Sequence, residues 1–198
     1  MSRPQQIERL AYQLDMEYSP KDEWGLKTLL KDFKLFRRGG RKRIKNLLHK
    51  QSELHQIDTR IFDYQFTIST GNSSRTFKQT VFFVESKNLG LPQFWMKPET
   101  FFHKVGAFLG FEDIDFEEYP KFSENYYLKG EDEEYIRGSL NDEFLKFFSV
   151  EKKWYLEGLN YYMIFYRFNE LLPPQEVKRL HEKGMKVVEM LQQEPFLP

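Results

Sequence analysis

The run Asp58-Thr-Arg-Ile-Phe-Asp-Tyr-Gln-Phe-Thr-Ile-Ser-Thr70, then Gly71-Asn-Ser-Ser74, then Arg75-Thr-Phe-Lys-Gln-Thr-Val-Phe-Phe-Val-Glu85, decides the fold. Phe62, Tyr64, Phe66 and Ile68 recur at every second position, with Asp63, Gln65 and Thr67 between them. Successive side chains of a strand point to opposite faces, so this period describes one buried face and one wet face. The Gly71 cluster has the residues of a turn, and Phe77, Val81 and Phe83 resume the apolar theme after it. The expected core is an antiparallel sheet lined with aromatic rings.

Working outward, a strand around Ile44–Lys50 precedes this hairpin, beyond the chain break at Gly39-Gly40. Upstream, Ile7, Leu10, Ala11 and Leu14 share one face of a helix over 4–17, which Ser2 and Pro4 start and Pro20 ends. Trp24, Leu26, Leu29, Leu30 and Phe33 form a second apolar set leading into an extended Lys34–Arg37. Downstream, 88–92 is a loop and Phe94-Trp-Met a short strand. Pro98 opens a helix carrying Phe101, Phe102, Val105, Phe108 and Leu109, closed by Gly110. Ile114 and Phe116 alternate with acids as a half-buried strand, and Tyr126-Tyr-Leu makes another. One helix follows Glu131–Glu134, with Ile136, Leu140, Phe144 and Phe147 on its apolar side. Residues 154–168 read as a hairpin, and a last helix runs from Pro174, weakened at Gly184. The sum is a single α+β domain over 1–198, an antiparallel aromatic-rich sheet covered by helices.

Composition narrows the chemistry. Among 198 residues there is no cysteine, which removes disulfides, thiolate metal sites and cysteine nucleophiles and suits a reducing compartment. Thirty basic and thirty acidic residues cancel, so no global field draws in a polyanion. The N-terminus lacks an apolar signal core, and no run is long and apolar enough to span a bilayer. The expectation is a soluble, cytoplasmic protein.

The sharpest charge feature is Arg37-Arg-Gly-Gly-Arg-Lys-Arg-Ile-Lys45. Arg37, Arg38, Arg41, Lys42, Arg43 and Lys45 are candidates for binding phosphate or another anion, on nucleic acid or on an anionic membrane surface. Phe33 and Phe36 stand nearby for base stacking. The plainer reading is a solvated strand edge whose charges discourage edge pairing. A second feature is Glu112-Asp-Ile-Asp-Phe-Glu-Glu118. On a strand, Asp113, Asp115 and Glu117 share one face and are candidate ligands for magnesium or calcium in a metal-dependent hydrolase. The favoured reading is an ordinary wet strand face. His49, His55, His103 and His181 show no metal-binding spacing. The chain has no phosphate-loop, dinucleotide-binding, nucleophile-elbow or zinc-protease motif, and no residue set marks a catalytic centre.

Several phrases in order, Leu35-Phe-Arg-Arg-Gly-Gly, Asn46-Leu-Leu, Phe62-Asp-Tyr-Gln-Phe, Leu91-Pro-Gln-Phe, Asp113-Ile-Asp-Phe, Tyr119-Pro-Lys-Phe-Ser and Trp154-Tyr-Leu-Glu-Gly-Leu, together resemble a loosely defined group of bacterial proteins without an assigned activity. The likeness covers most of the chain from about Leu14 onward. Members of that group often carry membrane-spanning segments near the N-terminus, and this sequence leads to the expectation of none. The resemblance implies one α+β domain and a non-enzymatic default, and it gives no activity, cofactor or catalytic residue to carry over. It leaves a non-catalytic binding or interaction module as the leading expectation, its partner open, with a protein partner as one option and nucleic acid or an anionic membrane surface less favoured.

Overall fold

The alternating segments pair as read, over longer spans than their cores alone indicate. The computed structural model describes residues 1–23, 25–54, 56–99 and 113–192. Its strands are β1 (Glu17–Lys21), β2 (Gly40–Ser52), β3 (Ile57–Thr70), β4 (Ser73–Ser86), β5 (Leu91–Pro98), β6 (Tyr126–Gly130), β7 (Tyr155–Asn160) and β8 (Tyr162–Tyr166). They form one sheet in the order β1-β2-β3-β4-β8-β7-β5-β6, with every neighbour antiparallel. The helices are α1 (Arg3–Leu14), α2 (Leu26–Leu29), α3 (Lys34–Arg37), α4 (Pro120–Asn125), α5 (Glu133–Ser139), α6 (Asp142–Val150) and α7 (Pro174–Leu191). The chain is an α+β protein built on an antiparallel, aromatic-rich sheet.

The β3–β4 hairpin pairs without a break from Ile57↔Ser86 to Thr70↔Ser73. Phe62, Tyr64, Phe66, Val81 and Phe83 turn to one face, where Ile164 and Tyr166 join them. The segment carrying α2 and α3 covers that face with Leu26, Leu30, Phe33, Leu35 and Phe36. Burying a side chain of this size contributes about 1.5–3 kcal/mol, so the central rows dominate the stability of this layer.

The opposite face is buried as well, which corrects the expectation of one wet side. Leu48, Ile61, Phe82, Val84, Met163 and Phe165 point there and pack under α1 and α4–α7. Asp63 lies on this face with a side chain only 12% exposed. Arg3, at the start of α1, reaches over it and satisfies the charge. A polar residue in an alternating strand therefore marks the roofed end of the sheet here, not open water.

Several local expectations are revised. Asp15 in the left-handed region ends α1, and Pro20 sits inside the short edge strand β1. Lys34–Arg37 is a helical turn, not an extended stretch. The helix expected after Glu131 is two helices, because Asn141 leaves the helical path and caps α6 by accepting from Phe144 N at 3.0 Å. Residues 113–116 have no regular structure, and α4 was not anticipated. The helix expected from Pro98 through Gly110 lies largely outside the described residues, as do Trp24, His55, His103 and Glu112.

Gly184 explains itself through packing. A Cβ there would stand 2.7 Å from the Phe82 ring, so glycine lets α7 lie against β4. Gly39 is fixed differently: its φ is +53°, and a Cβ would stand 2.5 Å from the Thr67 carbonyl oxygen. That close approach starts the irregular register of β2 between Gly40 and Arg43.

Candidate anion-binding face

The six cations of 37–45 do not form one loop. The register divides them between the two sides of the sheet. Arg37 pairs with Asp32 at 3.6 Å. Arg38 lies over the Phe168 ring at 5.1 Å. Lys42 donates to the Phe36 carbonyl. These three belong to the side covered by α2 and α3. Arg41, with φ +50°, occupies the bulge itself and is exposed. Phe33 and Phe36 are 3% and 2% exposed, and Phe36 packs on Tyr64 at 4.2 Å. Neither ring is free to stack on a base.

Arg43 and Lys45 point to the other side and meet two cations from elsewhere in the chain. Lys45 is directly opposite Lys21 of β1 and, on its other side, directly opposite Asp63 of β3. Arg43 is opposite Gln65, which is opposite Lys78 of β4. Directly opposed residues of an antiparallel pair project to the same face. By that rule Arg43, Lys45 and Lys78 share one face around Gln65; Lys21 is opposed to Lys45 at the sheet edge, next to the irregularity of β2 between Lys45 and Leu48, and all four are exposed. Asp63, the carboxylate in this row, is engaged by Arg3. Among the described residues, none of the four cations has a carboxylate within 4.0 Å. Like charges directly opposed across a ladder weaken it by a few tenths of a kcal/mol or more. The chain keeps this Lys21–Lys45 opposition despite that cost.

Sequence reasoning found half of this face. Lys21 and Lys78 lie far from 37–45 in the chain and carry no local signal. Only the alternation of Lys78 with Phe77 and Gln79 hints at its side.

The acidic stretch is arranged differently from the shared strand face expected of it. Asp113 turns toward β6 and accepts from Leu128 N at 2.8 Å, while Ile114 N donates to Leu128 O at 2.9 Å. Asp115 and Glu117 are exposed. Burial, with the neighbouring Asp115 and Glu99 charges adding to it, pushes the Asp113 carboxyl up to about 6 against its hydrogen bond from Leu128. Among the described residues, no group of three or more His, Asp or Glu is placed to hold a metal ion. His49 meets Asp58 at 3.2 Å. His181 packs edge-on to Phe82, and burial lowers its pKa.

A cavity of about 220 Å³ lies between the residues before α3 and the strands β5, β6 and β7. Its one buried acid is Glu157, 3% exposed. That carboxylate accepts from Lys34 N at 2.5 Å, Leu35 N at 3.1 Å and the Tyr166 hydroxyl at 3.0 Å. Burial pushes its carboxyl up against these three donors. Glu157 thus caps the first turn of α3 and fixes the covering segment to the sheet. An acid between Leu156 and Gly158 in an apolar strand is a signal the sequence reading passed over.

No family model and no curated protein matches this chain. Among solved structures, the mycobacterial trehalose monomycolate transport factor A, TtfA, has a similar fold. The TM-score is 0.57 at 10% sequence identity, over 97% of this chain and 97% of the other. No described helix is long and apolar enough to cross a membrane.

Proposed function

We propose that this chain acts as a single, non-catalytic α+β binding module that meets an anionic partner through Lys21, Arg43, Lys45 and Lys78. The observation that carries this reading is the uncompensated opposition of Lys21 and Lys45, flanked by two further cations, in a chain of zero net charge. A cation cluster that costs stability and has no carboxylate within 4.0 Å among the described residues is suited to an external counter-charge. The likeness in fold to a transport factor supports binding over bond-making chemistry, and it carries no ligand across at 10% identity. Glu157 supports the same view, since both of its oxygens serve the scaffold. The cysteine-free composition fits action in a reducing compartment such as the cytoplasm.

The test is retention on a sulfonate matrix, read as the salt needed for elution. The wild type is expected to be held, and the fourfold variant Lys21→Ser, Arg43→Ser, Lys45→Ser, Lys78→Ser to flow through at low salt. A control changes four exposed lysines elsewhere, Lys27, Lys146, Lys152 and Lys178, to Ser and carries the same net charge. Equal loss of retention in both variants would mean that total charge, not this face, governs binding, and the reading would fall.

A further inference from the structure

We infer that the surface recognised by this four-cation face is an array of anionic headgroups on a lipid bilayer. This rests on the proposed anion-binding role of the same residues and names the class of partner.

Shape comes first. The four side chains rise from three strands of an open sheet, with neighbouring strands about 4.8 Å apart. They make a patch of facing charges and not a cleft. Nucleic acid asks for something else. Single strands are held on stacking rings, and duplexes are read by an element that enters a groove. The residues next along this face are Thr67 and Thr76, whose hydroxyls bond to each other at 3.0 Å. The rings of the same ribbon, Phe66 and Phe77, stand on the opposite face and stack together at 5.2 Å. A planar set of like-charged groups fits the patch without a groove or a ring.

Charge range comes second. A neutral chain gives no long-range pull on a distant polyanion, and salt screens charges beyond about 8 Å at physiological strength. Attraction through this patch operates at contact. A bilayer with acidic lipids supplies many charges at contact, and each lysine near such a surface strengthens binding about fivefold.

The hairpin completes the picture. Residues 68–76 at the end of the β3–β4 ribbon are all exposed, beyond the covering helices. Ile68, 37% exposed, is the apolar side chain there. Ser69 and Ser74, opposed to each other, carry the cation side on to the tip, so a surface that contacts Arg43 and Lys78 continues onto their hydroxyls, while Ile68 stands on the aromatic side with Phe66.

The experiment is co-sedimentation of the full chain with phosphatidylcholine vesicles, with and without phosphatidylserine, at low and at physiological salt. Binding to the phosphatidylserine vesicles alone is expected. It should weaken about fivefold in Lys21→Ser or Lys78→Ser and by far more in the fourfold variant. The four-lysine control should bind as the wild type does. Retention on the sulfonate matrix without vesicle binding would overturn the lipid assignment and leave the anion-binding face standing. Loss of both would overturn both. Binding to duplex DNA that is tighter than to the acidic vesicles at the same salt, and lost in the same variants, would assign the face to nucleic acid instead.

Discussion

Arg3 and Asp63 are joined by two parallel hydrogen bonds, Nε to Oδ2 at 2.7 Å and Nη2 to Oδ1 at 2.6 Å. The same guanidinium donates to the Leu172 carbonyl at 2.7 Å and to Thr80 Oγ1 at 3.2 Å. Asn46 Nδ2 and Thr80 Oγ1 also donate to Asp63. One side chain thus holds the first helix, the central strands and the segment before α7 in a single network. Replacing Arg3 by Ala leaves a mostly buried carboxylate with two neutral donors. A loss of about 2–4 kcal/mol in unfolding free energy is expected by urea titration. Arg3→Lys should recover only part of it, because an ammonium cannot donate bidentately. A loss below about 0.5 kcal/mol in Arg3→Ala would mean the network does not hold the fold.

Tyr64 gives the opposite sign. Its hydroxyl is buried between Phe36 and Phe66 and has no hydrogen-bond partner among the described residues. Burial raises the pKa of this phenol above the ordinary tyrosine value. Tyr64→Phe removes the unsatisfied group and keeps the ring. Stability is expected to stay level or to rise by about 1 kcal/mol. A drop of that size would reveal a partner for the hydroxyl.

Gly184 tests the contact between α7 and the sheet. Alanine is better than glycine by about 1 kcal/mol inside a helix. Here the added methyl would meet the Phe82 ring at 2.7 Å, and overpacking of that kind costs about 1–3 kcal/mol. Gly184→Ala is therefore expected to lower the melting temperature, and Phe82→Leu in the same chain to restore part of it beyond additivity. A rise on Gly184→Ala alone would show that α7 does not press on Phe82.

Asp113 sets a pH dependence. Its folded carboxyl titrates at about 6, above its ordinary value of 3.8, so the folded chain takes up this proton first as pH falls. Stability from this group accordingly rises as pH falls from about 6 toward 4 and is lost as pH climbs back. With partial exposure discounted, the amplitude is on the order of 1–2 kcal/mol. Glu157, raised by burial, acts in the same direction, and His181, lowered by burial, acts in the other. The difference between wild type and Asp113→Asn isolates the effect. The variant keeps an oxygen for Leu128 N and should be the more stable chain at pH 7, with the gap closing near pH 4. A gap that does not change with pH would remove Asp113 as its source.

How far the sequence revealed the fold depends on the range of the controlling interaction. The β3–β4 hairpin was legible because Phe62, Tyr64 and Phe66 are arranged by a local period of two. The turn of α3 was not, because its first amides are capped by Glu157, 123 positions from Lys34. The break before α6 could have been read from Asn141 followed by Asp142 and Glu143, an N-terminal signature overridden by apolar periodicity. The cation face was half legible for the same reason. Arg43 and Lys45 lie in a conspicuous run, but the bulge after Gly40 turns their neighbours away, and register alone adds Lys21 and Lys78. The acidic stretch misled because Asp113 is spent on clipping the chain to the edge of β6.

The junction of β4 with β8 runs over five opposed pairs, Val81↔Tyr166 to Glu85↔Tyr162. It unites a ribbon made by the first half of the molecule with one made by the second. Each ribbon draws on nearer neighbours, so each can assemble early, whereas their zippering must wait for a long intervening stretch to be closed. A chain caught before that event offers two open rims to other chains. Refolding yield is thus expected to fall as concentration increases, and weakening this seam should lower the yield before it alters either ribbon.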